Sequence, residues 1–359
     1  MNPFFRILFA LLVISRTFGL QGQETTQNTT ESQSLEISVG MGYMMTHDNG
    51  YSNFNTFSFG FETTWWYRSF HDDYWRRSRQ YPAFGGRASW HRIPKGIAGD
   101  RLGIELLLLQ PINDKFEYSI GLGFSAYTHP YSRTGDTLNL FIGSLVNCLI
   151  DIGVTYRPSN HLFLSLRLLH TSNGMLYRPN QGLNFIQFDF GYTIGTLCPS
   201  ELRLPTTFDI PTFEEKEIGL ALSFGTVMSR RKKQQGYFPC YDLSLNYMHY
   251  LSPIFSIGAT LDFWYNFVDR IPILHKHDLH NVPVYFSALC AFESFLGPLS
   301  IKAGIGPVVI VSDEVTIPFY ERVGLYYNFS GRHQYLGLAL NAHAGRIEFI
   351  EWTLGFRLR

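Results

Sequence analysis

Apolar and polar residues alternate with a period of two along nearly the whole chain, and this feature confines it to β structure. Phe116, Tyr118, Ile120, Leu122 and Phe124 share one face, and Glu117, Ser119, Gly121, Gly123 and Ser125 the other. Ile142, Val146, Ile150, Ile152 and Val154 oppose Gly143, Asn147, Asp151 and Gly153 in the same way. Ile218, Leu220, Leu222 and Phe224 oppose Gly219, Ala221, Ser223 and Gly225. The last run sets Ile350, Trp352, Leu354, Phe356 and Leu358 against Glu351, Thr353, Gly355, Arg357 and Arg359. These runs are about 10–14 residues long, against roughly 5–6 for a soluble strand and roughly 9–11 for a strand that crosses a bilayer. One face is large and aromatic-rich, as lipid requires, and the other is small and polar, as a wet lumen requires. A soluble β-sandwich is the alternative that also alternates.

The connections support the membrane reading. Short links at 111–114, 157–160, 252–253 and 297–298 alternate with long ones near 129–137, 173–183, 229–239 and 267–281, the tight-turn and long-loop pattern of an outer-membrane barrel. Aromatic doublets near strand ends, Trp65-Trp66-Tyr67, Trp264-Tyr265 and Tyr326-Tyr327, fit the headgroup level. The pattern predicts an all-β protein with a single antiparallel transmembrane barrel of about 14–16 strands, with 12 as the lower limit. The least regular stretch is 70–90. No linker or internal repeat stands out, so residues 35–359 are read as one barrel.

At the N-terminus, Arg6, the apolar run 7–14 and then Thr17-Phe18-Gly19 have the order of a secretory leader. The reading is a cleaved signal peptide over 1–19 and a flexible lead-in over 20–34, with a buried helix as the alternative. The apolar run falls short of the roughly 20 residues of a membrane helix, and no later run reaches that length. The expected location is the outer membrane of a Gram-negative-type bacterium. Lys and Arg total 29 against 29 Asp and Glu, so no strongly basic face exists for nucleic acid. Four Cys in 359 residues make no disulfide scaffold, and no CxxC metal spacing occurs.

One strand end carries chemistry. In the segment 161–172, HLFLSLRLLHTS, His170 and Ser172 continue the stripe of Leu162, Leu164, Leu166 and Leu168. They point toward lipid at a loop end, where polar groups are costly. Residues two apart on a strand lie side by side, and an imidazole there can take a hydroxyl proton and make the serine a nucleophile. The returning strand, NFIQFDFGYTIG, places Asn184 on the same outward face, opposite His170. A third group beside the imidazole is what a triad uses to orient it. A His and a Ser resting in the headgroup zone without chemistry are the simpler reading.

The segment 170–184, HTSNGMLYRPNQGLN, resembles the signature of the lipid A 3-O-deacylase (PagL) family, approximately His-x-Ser-Asn and then Pro-Asn-x-Gly-x-Glu. His170, Ser172, Asn173, Pro179, Asn180 and Gly182 fall in register. The resemblance covers roughly 35–196, while 197–359 has no counterpart in the small eight-stranded members. It implies an outer-membrane barrel that cuts the 3-position ester of lipid A with a site on its outer wall. By this resemblance Ser172 is the nucleophile, His170 the general base, and Asn173 an oxyanion donor together with the main chain at Met175. The implied substrate is lipid A or lipopolysaccharide among outer-membrane lipids, with no cofactor. Two positions depart from the pattern. Asn184 stands where the family has an acid, and Met175 where it has Gly. Asn can accept from an imidazole N–H but supplies no charge, which leaves a working Ser-His-Asn triad, a weak enzyme or a silent one. Asp189, at an odd offset, falls on the lumen side.

Other features carry less. Arg178, beside the motif, and the basic run at Arg230 and Arg231 suit phosphates of a glycolipid head group, or are solvated loop charges. His275, His277, Asp278 and His280, like His71-Asp72-Asp73, are read as loop residues, and no metal is expected. Cys148 and Cys290 are read as outward apolar fillers. A Cys198–Cys240 disulfide and a homodimer are left open. The functional alternatives are a silent barrel that binds lipopolysaccharide and a passive pore.

Overall fold

The structure is a computed structural model. It describes residues 31–358 except 47–48, 72, 95–97, 133, 136, 175–176, 178, 198–210, 229–235, 268–283, 311–318, 330–331 and 344–345. Among the described residues sixteen strands form, antiparallel and long, in agreement with the all-β barrel reading and its strand count. Their closure differs from the expectation of one barrel: the strands form two closed barrels of eight. The first comprises β1 (Glu31–Met45), β2 (Thr56–Ser69), β3 (Ala83–Arg92), β4 (Arg101–Pro111), β5 (Phe116–Tyr127), β6 (Val146–Tyr156), β7 (Leu162–Ser172) and β8 (Leu183–Gly195). The second comprises β9 (Lys216–Met228), β10 (Tyr237–Ser252), β11 (Phe255–Asn266), β12 (Val284–Leu296), β13 (Leu299–Ile310), β14 (Phe319–Asn328), β15 (Gln334–His343) and β16 (Arg346–Leu358).

β1 closes on β8 from Ser34↔Gly195 to Met45↔Asn184, and β16 closes on β9 from Glu351↔Gly225 to Leu358↔Ile218. Alternation could not show this, because period 2 assigns a residue to a face and says nothing of which strand closes the sheet. A signal did exist in the stretch 196–215, where Pro199, Pro205 and Pro211 interrupt the alternation as a linker does. The irregular stretch near 70–90 resolves into a short helix, α1 (Tyr74–Ser78), followed by β3. Asp73 caps α1 by accepting from the Arg76 N–H at 3.2 Å, so the described part of His71-Asp72-Asp73 serves as a helix start. Ile142 is not in β6. The Asn139 side chain accepts from the Phe141 and Ile142 N–H groups at 3.1 and 3.0 Å, and this turn buries Ile142 at the loop rim.

The faces follow the alternation. Ile104, Leu106, Ile152 and Leu168 are exposed, while Glu105, Asp151 and Arg167 point inward and are buried. The interior is a packed polar core, which corrects the expectation of a wet lumen. Arg167 donates to Asp151 at 2.6 Å, Asp189 at 2.7 Å and Glu62 at 2.5 Å. Arg322 does the same in the second barrel, with Asp242 at 2.6 Å and Asp262 at 2.9 Å. Cavities of about 10 and 20 Å³ hold a water or so each. Eight strands enclose only enough space for side chains, whereas sixteen in one ring would leave a channel. The aromatic doublets are likewise split. Trp65 and Tyr327 face outward, but Trp66, Trp264 and Tyr326 are buried inside, as neighbours in a strand must alternate.

Both ends of each barrel lie at one rim, with the short connections 112–115, 157–161, 253–254, 297–298 and 329–333 and the longer 70–82, while the other rim carries connections that are long except at 344–345. At the turn rim the barrels meet through Arg79, whose Nε donates to the Phe295 carbonyl at 3.0 Å and whose guanidinium also reaches Ser294 Oγ. Partial burial there pushes the Arg79 guanidinium below its ordinary pKa. At the loop rim the first barrel is stoppered by an apolar cluster that includes Met44, Tyr127, Phe141, Leu149, Leu169 and Phe185.

Candidate active site on the outer wall of the first barrel

Strand register brings the sequence motif together. His170 pairs with Asn184 on β8 and with Ile150 on β6, and Ser172 pairs with Cys148. His170 Nδ1 lies 2.7 Å from Asn184 Oδ1. With the amide oxygen as acceptor, Nδ1 carries the proton and Nε2 is left with its lone pair, the tautomer a general base needs. Between the two residues, Thr171 turns inward, where its Oγ1 meets the Tyr127 hydroxyl at 2.7 Å. That bond, together with buried Leu169, anchors β7 to the interior plug and fixes the outward pair on the other face.

Ser172 is on the outward face yet only 4% exposed. Two loops roof it. Gly182 adopts φ +72°, and a Cβ there would sit 2.9 Å from His170 Cε1 and 3.3 Å from Ser172 Cβ. A side chain at this position would enter the site, which accounts for a Gly in the motif. The Gly182 and Gln181 N–H groups donate to the Phe141 and Leu140 carbonyls at 3.0 and 3.3 Å, tying the β5–β6 loop across the motif.

Asn173 and Asn180 organise the turn. The Asn173 N–H donates to Asn180 Oδ1 at 3.0 Å, and Nδ2 donates to the Tyr177 carbonyl at 2.8 Å and Ser144 Oγ at 3.1 Å. All three N–H bonds of Asn173 are thus engaged inside the loop, and as an oxyanion donor it would have to release one. Gly174 takes a left-handed conformation, φ +62°, one residue before the position where the family pattern places its glycine. Pro179 leads into Asn180 and is half-buried. Met175, Arg178, Arg230, Arg231 and Cys198 lie outside the described residues, as do Asp72 and the segment containing His275, His277, Asp278 and His280. Cys148 and Cys290 face outward. Asp189 is inside, bonded to Arg167. Sequence reasoning missed the roof built from Ser144, Leu140 and Phe141, because those loop residues have no periodic pattern.

Two closed barrels with apolar outer walls and polar interiors have the build of a membrane β-barrel protein. The model of the lipid A 3-O-deacylase (PagL) family matches residues 36–193. The model described as acyloxyacyl hydrolase, C-terminal domain, matches 216–359. The two matches coincide with the two barrels, and the chain belongs to the PagL and acyloxyacyl hydrolase-like family of outer-membrane proteins. Among solved structures, the outer membrane enzyme PagL is 21% identical over 44% of this chain and 97% of its own, with a TM-score of 0.34. A de novo designed transmembrane β-barrel is 14% identical over 45% of this chain and 95% of its own, with a TM-score of 0.25. A mutant porin of Rh. blastica is 12% identical over 91% of this chain and 100% of its own, with a TM-score of 0.19. No curated protein matches the chain.

Proposed function

We propose that the chain is a lipid A 3-O-deacylase whose first barrel does the chemistry in the outer leaflet. The observation that carries this reading is the 2.7 Å contact of His170 Nδ1 with Asn184 Oδ1 on the outward face, beside Ser172. His170 Nε2 takes the Ser172 hydroxyl proton as Oγ attacks the ester carbonyl. The imidazolium returns that proton to the departing sugar oxygen, leaving an acyl-enzyme. Water, deprotonated by the same imidazole, then releases the fatty acid. Backbone N–H groups of the turn 173–175 are the candidate oxyanion donors. Asn184 holds the right tautomer but adds no negative charge to the imidazolium. The reading is therefore an active enzyme with weaker transition-state stabilisation than an acidic third member gives. Arg178, Arg230 and Arg231 are assigned to the lipid A phosphates, and residues 1–19 to a cleaved leader.

Purified protein in mixed micelles with lipid A is expected to release free hydroxy fatty acid, and Ser172→Ala to release none. The uncharged Asn184 favours one second reading, a silent barrel that retains lipid A without cutting it. Binding of lipid A with no release by wild type would establish that reading. The packed interiors speak against a pore.

A further inference from the structure

The turn that follows Ser172 abuts the second barrel. A Cβ on Gly174 would lie 2.6 Å from Ile350 Cδ1 and 2.9 Å from its Cγ1. Ile350 is an outward residue of β16 and is half-buried, whereas Trp352 and Leu354, next on the same face, are 57% and 43% exposed. On the first barrel Leu168, two positions below His170 on its face, is 58% exposed. The other tie between the barrels, Arg79 with the Phe295 carbonyl, belongs to the opposite rim. The barrels thus touch at both rims, while apolar wall residues below the site stay uncovered.

Resting on the deacylase reading, we propose that the second barrel supplies one wall of the substrate site. Ile350, with Trp352 below it, borders the Ser172 turn, and the acyl chain of the scissile ester lies between the two outer walls. An outward nucleophile must receive its ester from the lipid side. On a lone barrel the acyl chain would have one protein wall and bulk lipid opposite. Here an apolar side chain of the second barrel stands against Gly174, in the turn that follows Ser172. Each methylene laid against that second wall is held in fixed van der Waals contact before the reaction, which fluid lipid does not provide. The second barrel is on this account a specificity element, with no catalytic group of its own.

The test places a photoreactive side chain, Ile350→p-benzoylphenylalanine, in the full-length Ser172→Ala protein. The micelles contain lipid A and phosphatidylethanolamine. Position 350 is expected to capture lipid A several-fold more than the same substitution at Ile305, an exposed outward residue of β13. In the enzyme with Ser172 intact, Ile350→Ala is expected to raise KM for lipid A about three- to tenfold, well beyond its effect on KM for a short-chain aryl ester, with Ile350→Val restoring it. Equal capture at 350 and 305, or equal KM changes for the two esters, overturns the proposal. Capture at 350 in a protein whose wild type releases no fatty acid would leave the wall standing and remove the deacylase reading.

Discussion

The two barrels share a plan and differ at one corner. Each closes eight strands, and each fills its interior with an arginine hub, Arg167 or Arg322, ringed by buried carboxylates. The corner is the loop rim of the last two strands. In the first barrel the outward residues there are His170, Ser172 and Asn184, beneath a clamped connection over 173–182. In the second, the outward residues described near that corner of β15 and β16 are Leu340, Ala342 and Ile350, and residues 344–345 separate the two strands. A scaffold that satisfies its own backbone and core leaves its outer wall free to vary. One wall is polar and roofed, and the described residues of the other are apolar and meet it.

The comparison can be broken most sharply at the nucleophile. Ser172→Ala is expected to lower deacylation by at least about 10³-fold, since the members of such a cluster act as a unit. It should leave both barrels folded, as judged by heat-dependent mobility on gels. Residual activity near wild type would move the chemistry elsewhere, with the second barrel the first place to look. The next largest effect is expected at Asn184. Asn184→Leu removes the acceptor for His170 Nδ1 and should cost about 10²-fold, while Asn184→Glu should raise kcat by supplying charge. A neutral result for both would mean that the 2.7 Å contact does not orient the base.

Gly182→Ala is smaller in scope. Its methyl would press on His170 Cε1 in a strained backbone, and the expected loss in kcat is about tenfold with about 1 kcal/mol of stability. A drop in stability alone, with kcat kept, would show that the roof does not position the imidazole. The smallest effect on activity is expected from the second barrel's interior. Arg322→Met leaves Asp242, Asp262 and Glu351 without their shared cation and should destabilise that barrel by about 3–5 kcal/mol. Under native conditions deacylation should fall only modestly, whereas Arg167→Met should remove stability and activity together. Equal activity losses from the two would erase the division of labour.

Much of this was legible in the residues. Alternation assigned Phe124, Leu222 and Trp352 to the outside and Asp151, Ser223 and Glu351 to the inside, because a pleated strand leaves no other choice. The His-x-Ser spacing and the facing position of Asn184 came from the same rule, applied across one hairpin. What stayed hidden depended on partners. Closure after Gly195 is a pairing choice between distant strands, and only the proline-marked linker hinted at it. The roof over Ser172 depends on the Asn139 turn and the Gly182–Phe141 bond, which join loops about forty residues apart with no pattern in common. The Gly174–Ile350 contact joins two barrels that read as one.

The measurement that bears most directly on the central claim is a mass spectrum of lipid A from cells carrying wild type, Ser172→Ala or Asn184→Glu. The account predicts loss of one 3-hydroxyacyl chain with wild type, no loss with Ser172→Ala, and more complete loss with Asn184→Glu. Unchanged lipid A in all three would contradict it.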